Sequence, residues 1–146
     1  MVQPDQEIED PMSELLGYQL RRASAVAMAD LSGALASVNL SPAAASALLV
    51  IEANPGKPQA RIGETLGIQR ANIAPIIARL EQEGLIERDD LPGRAIGLHC
   101  TARGTATAEA TQQIIAEHEK RVFGCIPRSD QKALIAALKR LRKRDQ

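Results

Sequence analysis

A mainly α-helical chain with one small β-hairpin is the fold this sequence predicts, and three observations predict it. Aromatic residues are nearly absent, with one Tyr, one Phe and no Trp in 146 residues. A core must then be assembled from Leu, Ile, Val and Ala, a mixture suited to close-packed helices. Apolar residues recur at steps of three and four through most of the chain. Only residues 85–100 break that rhythm, reading as strand, turn and strand around Pro92 and Gly93.

Taken in order, residues 1–12 are polar, hold Pro4 and Pro11, and are expected to form an acidic arm. Ser13 is a candidate N-cap for a long amphipathic helix to about residue 35, with Leu16, Leu20, Ala23, Ala27, Leu31 and Leu35 on one stripe. Ser41 with Pro42 at the first helical position opens a second helix through Ala53, which the "NPGKP" run stops. A short helix over Gln59–Leu66 closes at Gly67, and another from about Gln69 to Glu83 ends at Gly84. Then come "LIERDD" and "AIGLHC", strands flanking "LPGR". Thr101 caps a long helix to about Ile126, with Ile114, Ile115, Val122 and Ile126 on roughly one face. "PRSD" interrupts it before a last helix striped by Leu134, Leu138 and Leu141. The organisation expected is a single domain over 13–146, with a reader at 41–100 between long terminal helices at 13–35 and 101–144.

Charge is balanced, 18 basic against 18 acidic residues, so the total identifies no partner. Its distribution is uneven: the first 14 residues are acidic, and the "KRLRKRDQ" end is basic. That end reads first as a solubilising last turn favourable to the helix dipole. No apolar run suggests a signal peptide or a bilayer span, so a soluble, cytoplasmic protein is expected. Cys100 and Cys125 stand apart from any Cys/His cluster, and His99 and His118 do not add a metal-ligand spacing. A metal, a redox switch and an enzyme's catalytic set are therefore not expected.

Two short helices joined at a glycine and followed by a hairpin form a winged helix-turn-helix. Ile62, Leu66, Ile68, Ile73 and Ile76 supply the apolar positions at which the two helices pack, and Gly67 supplies the turn. Ile73, Ile76, Ile77 and Leu80 use up the buried face of the second helix. Gln69, Arg70, Asn72 and Ala74 remain near its exposed front, where a recognition helix meets base edges. Arg reads guanine and Asn or Gln reads adenine by paired hydrogen bonds, which makes Arg70 and Asn72 the strongest candidates. Pro75 is expected near the first turn, where a missing N–H costs little. Arg79 pairs with Glu83 at i+4 or reaches phosphate, and Arg94 at the hairpin tip is placed for the minor groove. Glu87, Asp89 and Asp90 make the approach to that tip acidic, which weakens phosphate attraction there.

The run "IGETLGIQRANIAPIIARLEQEGLIERDDLPGRAIGLHCTARG" resembles the core of the MarR family of winged-helix transcriptional regulators, and with the long terminal helices the resemblance covers nearly all the chain after residue 13. It implies a homodimer formed by the terminal helices, with Leu16, Leu20, Leu134, Leu138 and Leu141 in the seam. It also implies a pseudo-palindromic duplex operator and release by a small molecule. "GYQLRRA" is similar to the branch responding to hydroxycinnamoyl-CoA esters, which makes Tyr18 and Arg21 or Arg22 candidate contacts for an aromatic acid or acyl-CoA effector. Adjacent arginines on a helix point apart, so only one of the two is expected to face the ligand. One departure is specific: where the family's wing usually carries Asp two residues before the tip Arg, Pro92 stands before Arg94. The competing reading is a winged helix used for protein contact without specific DNA binding.

Overall fold

Helix α2 (Pro42–Ala53) is the hub of the fold because its Ala-rich, Leu- and Ile-bearing sequence lets other elements approach from several sides. Ser41 caps it, the hydroxyl accepting from the Ala44 N–H at 3.2 Å, with Pro42 at the first helical position. The computed structural model describes residues 8–89, 93 and 95–143. In chain order the other elements are α1 (Leu16–Leu35), β1 (Lys57–Pro58), α3 (Gln59–Leu66), α4 (Arg70–Gln82), β2 (Ile86–Arg88), β3 (Gly97–Cys100), α5 (Ala102–Phe123) and α6 (Arg128–Arg142). A single 3-10 turn over Ala36–Val38 ends at Asn39, whose left-handed backbone turns the chain from α1 into α2.

The core gathers around α2: Leu48 and Ile51 with Leu35 from the end of α1, Ile62 of α3, Ile73, Ile77 and Leu80 of α4, Leu98 of β3 and Ala108 of α5. Leu66, Ile68 and Ile76 pack against it while partly exposed. Every buried side-chain nitrogen or oxygen among the described residues has a hydrogen-bond partner.

Four details differ from the sequence expectation. Helix α1 begins at Leu16, not Ser13, and its cap position, Leu15, makes no side-chain cap bond. Asp10 organises the entry instead: its carboxylate accepts from the Met12 N–H at 3.1 Å and the Tyr18 hydroxyl at 2.7 Å. A residue assigned by sequence to the arm is thus fastened to α1. Pro75 lies in the second turn of α4, past the first-turn donors, so the Ala71 carbonyl loses its i+4 partner. Both residues are exposed, and water can take the missing place. Helix α5 stops at Phe123 and α6 opens at Arg128, inside the "PRSD" segment expected to break the helix. Finally the sheet has three strands in the order β1-β3-β2, all antiparallel. The extra strand, Lys57–Pro58, comes from a run that reads as a turn. It fits because Gly97 faces Gly56, where a Cβ at residue 97 would stand 2.7 Å from the Gly56 carbonyl oxygen.

Candidate nucleic-acid interface and effector site

Helices α3 and α4 meet at Gly67, which takes φ +65°. The Gly67 N–H donates to the Glu64 carbonyl and the Ile68 N–H to the Gly63 carbonyl, closing α3 with a Schellman pattern. Gly63 is buried, and a Cβ there would press the Ile68 carbonyl oxygen at 3.1 Å and Ile73 at 3.3 Å. A small residue at 63 is what lets the two helices cross so closely. Helix α4 ends the same way at Gly84, with Leu85 N–H bonded to the Leu80 carbonyl at 3.0 Å.

With Ile73, Ile77 and Leu80 at 0% exposure, the rotation of α4 is fixed. Gln69, Arg70, Asn72 and Ala74 are all exposed at its front, Gln69 occupying the cap position just before the first turn. Arg79, itself exposed, makes local bonds: its Nε donates to Glu83 at 2.9 Å, and a second guanidinium nitrogen reaches the Asn39 carbonyl at 3.5 Å. The ion-pair alternative is therefore the observed one.

The base of the wing is tied to the end of α4. Arg88 pairs with Glu81 at 3.0 Å, the Thr101 hydroxyl donates to the Gly84 carbonyl at 2.7 Å, and Arg103 donates to the Glu83 carbonyl at 2.8 Å. The Thr-x-x-Gly start of α5 now has a cause. The Thr101 hydroxyl accepts from the Gly104 N–H at 3.0 Å, and a Cβ at Gly104 would collide with the Leu85 carbonyl. At the hairpin, Gly93 takes φ +82°, as a Pro-Gly reversal requires. Asp90, Pro92 and the candidate tip residue Arg94 lie outside the described residues. Of the acidic approach, Asp89 is paired with His99 at 2.6 Å.

The second candidate cluster lies on α1. Tyr18 is half-buried, and the guanidinium carbons of Arg21 and Arg22 stand 5.3 and 5.6 Å from its ring centroid. The expectation that adjacent arginines diverge is corrected here. Residues i+3 and i+4 of Tyr18 flank it from the next turn, and their long stems bring both charges to one ring. Asp10 joins them, 3.8 Å from Arg22. The Tyr18 hydroxyl, the Met12 N–H and the Arg22 charge hold the Asp10 carboxyl below the usual carboxylate range.

Sequence reasoning missed a polar cluster that joins α1 to α5 around a buried histidine. His118 is only 3% exposed. Its Nδ1 donates to Asp30 at 2.8 Å, and Arg121 reaches the same carboxylate with two nitrogens, at 2.6 and 3.1 Å. The Phe123 ring meets the imidazole edge-on. Arg121 and His118 together hold the Asp30 carboxyl well below its ordinary value. A signal for His118 existed: Gly104, Ala108, Thr111 and His118 keep helical spacing along the inward stripe. Burial, then the neighbouring Glu52 carboxylate, push the Cys100 thiol up to about 12, which keeps it protonated at neutral pH. Cys125 is exposed.

The terminal leucines remain outside the single-chain core. Leu16 is 81% exposed, Leu134 46% and Leu141 53%; Leu20 is exposed and Leu138 half-buried. No residue of α6 is buried. No single described helix is long and apolar enough to cross a membrane.

Comparison with known proteins agrees with this geometry. The MarR family profile matches residues 38–95, the reader and the wing as far as the residues before β3. The transcriptional repressor CouR bound to a 23-mer DNA duplex superimposes with a TM-score of 0.86 at 36% identity, covering 93% of this chain and 99% of that one. CouR bound to p-coumaroyl-CoA gives 0.82 at 36% identity, covering 93% and 97%. A Thauera aromatica protein described as a regulatory protein for the hcr operon is 27% identical over 141 residues, 94% of this chain and 85% of the relative. The Mycobacterium tuberculosis MarR family protein Rv2887 in complex with p-aminosalicylic acid gives a TM-score of 0.69 at 25% identity, covering 86% and 97%. A helix-turn-helix reader with a three-stranded wing, long flanking helices and this similarity along nearly the whole chain place the protein in the MarR family of winged-helix transcriptional regulators, as a DNA-binding regulator and not an enzyme.

Proposed function

We propose that this chain is a homodimeric repressor that holds a pseudo-palindromic operator and lets it go when an aromatic acyl-CoA or aromatic acid binds. The observation that carries the DNA half is the exposed, core-free front of α4, where Arg70 and Asn72 offer the two side-chain chemistries that read guanine and adenine. Gln69 and Ala74 border them, and Arg94 serves the wing. Arg79 acts indirectly, holding the C-terminal half of α4 through Glu83.

Dimerisation follows from the exposed leucines. An amphipathic helix such as α6, with Leu134, Ile135 and Leu141 in solvent, forms where those side chains meet a partner. Leu16, Leu20 and Leu138 add further apolar side chains to the proposed seam. Paired readers then engage half-sites one helical turn apart, about 34 Å.

For the effector, Tyr18 offers a ring on which an aromatic acyl group can stack, and Arg21 and Arg22 offer cations to a carboxylate or a CoA phosphate. CouR in complex with p-coumaroyl-CoA supports the thioester class, and Rv2887 with p-aminosalicylic acid supports the free acid. Ligand bound beside α1 releases DNA by favouring a reader separation that no longer fits both half-sites; a ligand acts only through such a differential affinity. The work takes place in the cytoplasm, where DNA and CoA esters meet.

The test is binding to a duplex from the region upstream of the protein's own coding sequence, at two salt concentrations, with p-coumaroyl-CoA, feruloyl-CoA and the free acids. Specific, salt-dependent binding abolished by a thioester alone is the expected result. Binding indifferent to every ligand would remove the effector assignment, and no specific binding would favour a protein-contact module.

A further inference from the structure

We propose that Asp89 and His99 form a positioning pair for the wing, fixing the geometry of its base where β2 ends against β3. The inference rests on the wing being a DNA-contacting element. Asp89 directly follows β2, and its N–H donates to the Gly97 carbonyl at 2.9 Å, the last described backbone bond before the tip. The register pairs Glu87 with His99 and Arg88 with Leu98, so Asp89 and His99 are diagonal neighbours on one face of the sheet. The Asp89 carboxylate accepts from His99 Nε2 at 2.6 Å.

The other side of the ring faces Gly56. Gly56 lies across β3 from Asp89, donating its N–H to the Leu98 carbonyl at 2.9 Å. Its φ is +79°, and a Cβ there would come within 3.5 Å of His99 Cε1. The imidazole therefore spans the sheet from the glycine that enters β1 to the residue that leaves β2. Among the described residues, other charges nearby do not replace it. Arg88 is committed to Glu81, Lys57 pairs in register with Leu98, and Glu87 opposite His99 is exposed. Asp89 thus spends its charge on holding geometry, where an unpaired carboxylate beside a duplex would only repel phosphate.

That contrast fixes the sign of the test. The intact protein is titrated against a fluorescent duplex from its own upstream region, wild type first, which tests DNA binding independently of the brace. Asp89→Asn and His99→Gln are then each expected to weaken binding about two- to fivefold per half-site, the range of a cross-strand side-chain pair. The double variant binds no worse than either single one, and the exchange of Asp89→His with His99→Asp recovers affinity. Hydroxyl-radical protection beside the wing weakens while protection under α4 stays, with the thermal midpoint held. Tighter binding by Asp89→Asn, or single losses that simply add in the double variant, would overturn the proposal.

Discussion

Arg70 and Asn72 have no part in the core, so replacing them is expected to act on DNA binding and leave folding alone. Arg70→Ala is expected to cost about 1–3 kcal/mol in operator affinity and to relax selectivity at one base position, measured against operators substituted base by base. An equal loss on every duplex would mean a phosphate contact instead. Asp30 makes the opposite kind of prediction. Arg121 and His118 depress its carboxyl below the ordinary 3.8, so the ionised form stabilises the fold above that value, and the contribution disappears as pH falls below it. Wild type is therefore more stable than Asp30→Asn at neutral pH, and the two converge in acid, read from urea unfolding between pH 7 and pH 2. The partners of Asp30 were not legible in the sequence because they stand 88 and 91 residues away. Only the inward spacing of His118 hinted at its burial.

At the scale of elements, the joint between β2, the end of α4 and α5 holds the wing against the reader. Thr101→Ala removes a cap, with an expected cost of about 1 kcal/mol. Gly104→Ala drives a methyl into the Leu85 carbonyl and is expected to cost about 1–3 kcal/mol, both read as shifts in the urea midpoint. These elements were legible because their ends are written locally: Ser41 before Pro42, Gly67, Gly84 and Thr101 each close or open a helix where the sequence puts them. Strand β1 was not, since two residues including Pro58 become a strand only by pairing with β3, a relation that depends on Gly56 meeting Gly97. The start of α1 was misjudged for a similar reason. Ser13 looked like the cap, but Asp10 reaches Tyr18 eight residues ahead.

For the whole molecule, the described residues of one chain leave Leu16, Leu20, Leu134 and Leu141 exposed. Leu134→Glu with Leu141→Glu is expected to shift the protein from dimer to monomer in sedimentation while its helicity stays near wild type, because neither side chain belongs to the single-chain core. A parallel collapse of secondary structure would show instead that α6 folds against its own chain. Loss of the dimer also weakens operator binding, since each half-site alone is held by a single reader.

A regulator that couples DNA and effector in one molecule does so reciprocally. The measurement that tests it most directly is the affinity for p-coumaroyl-CoA with and without a saturating operator duplex, at fixed salt. The account predicts that DNA weakens thioester binding by the same factor by which the thioester weakens DNA binding, whereas thioester affinity unchanged by the duplex would contradict it.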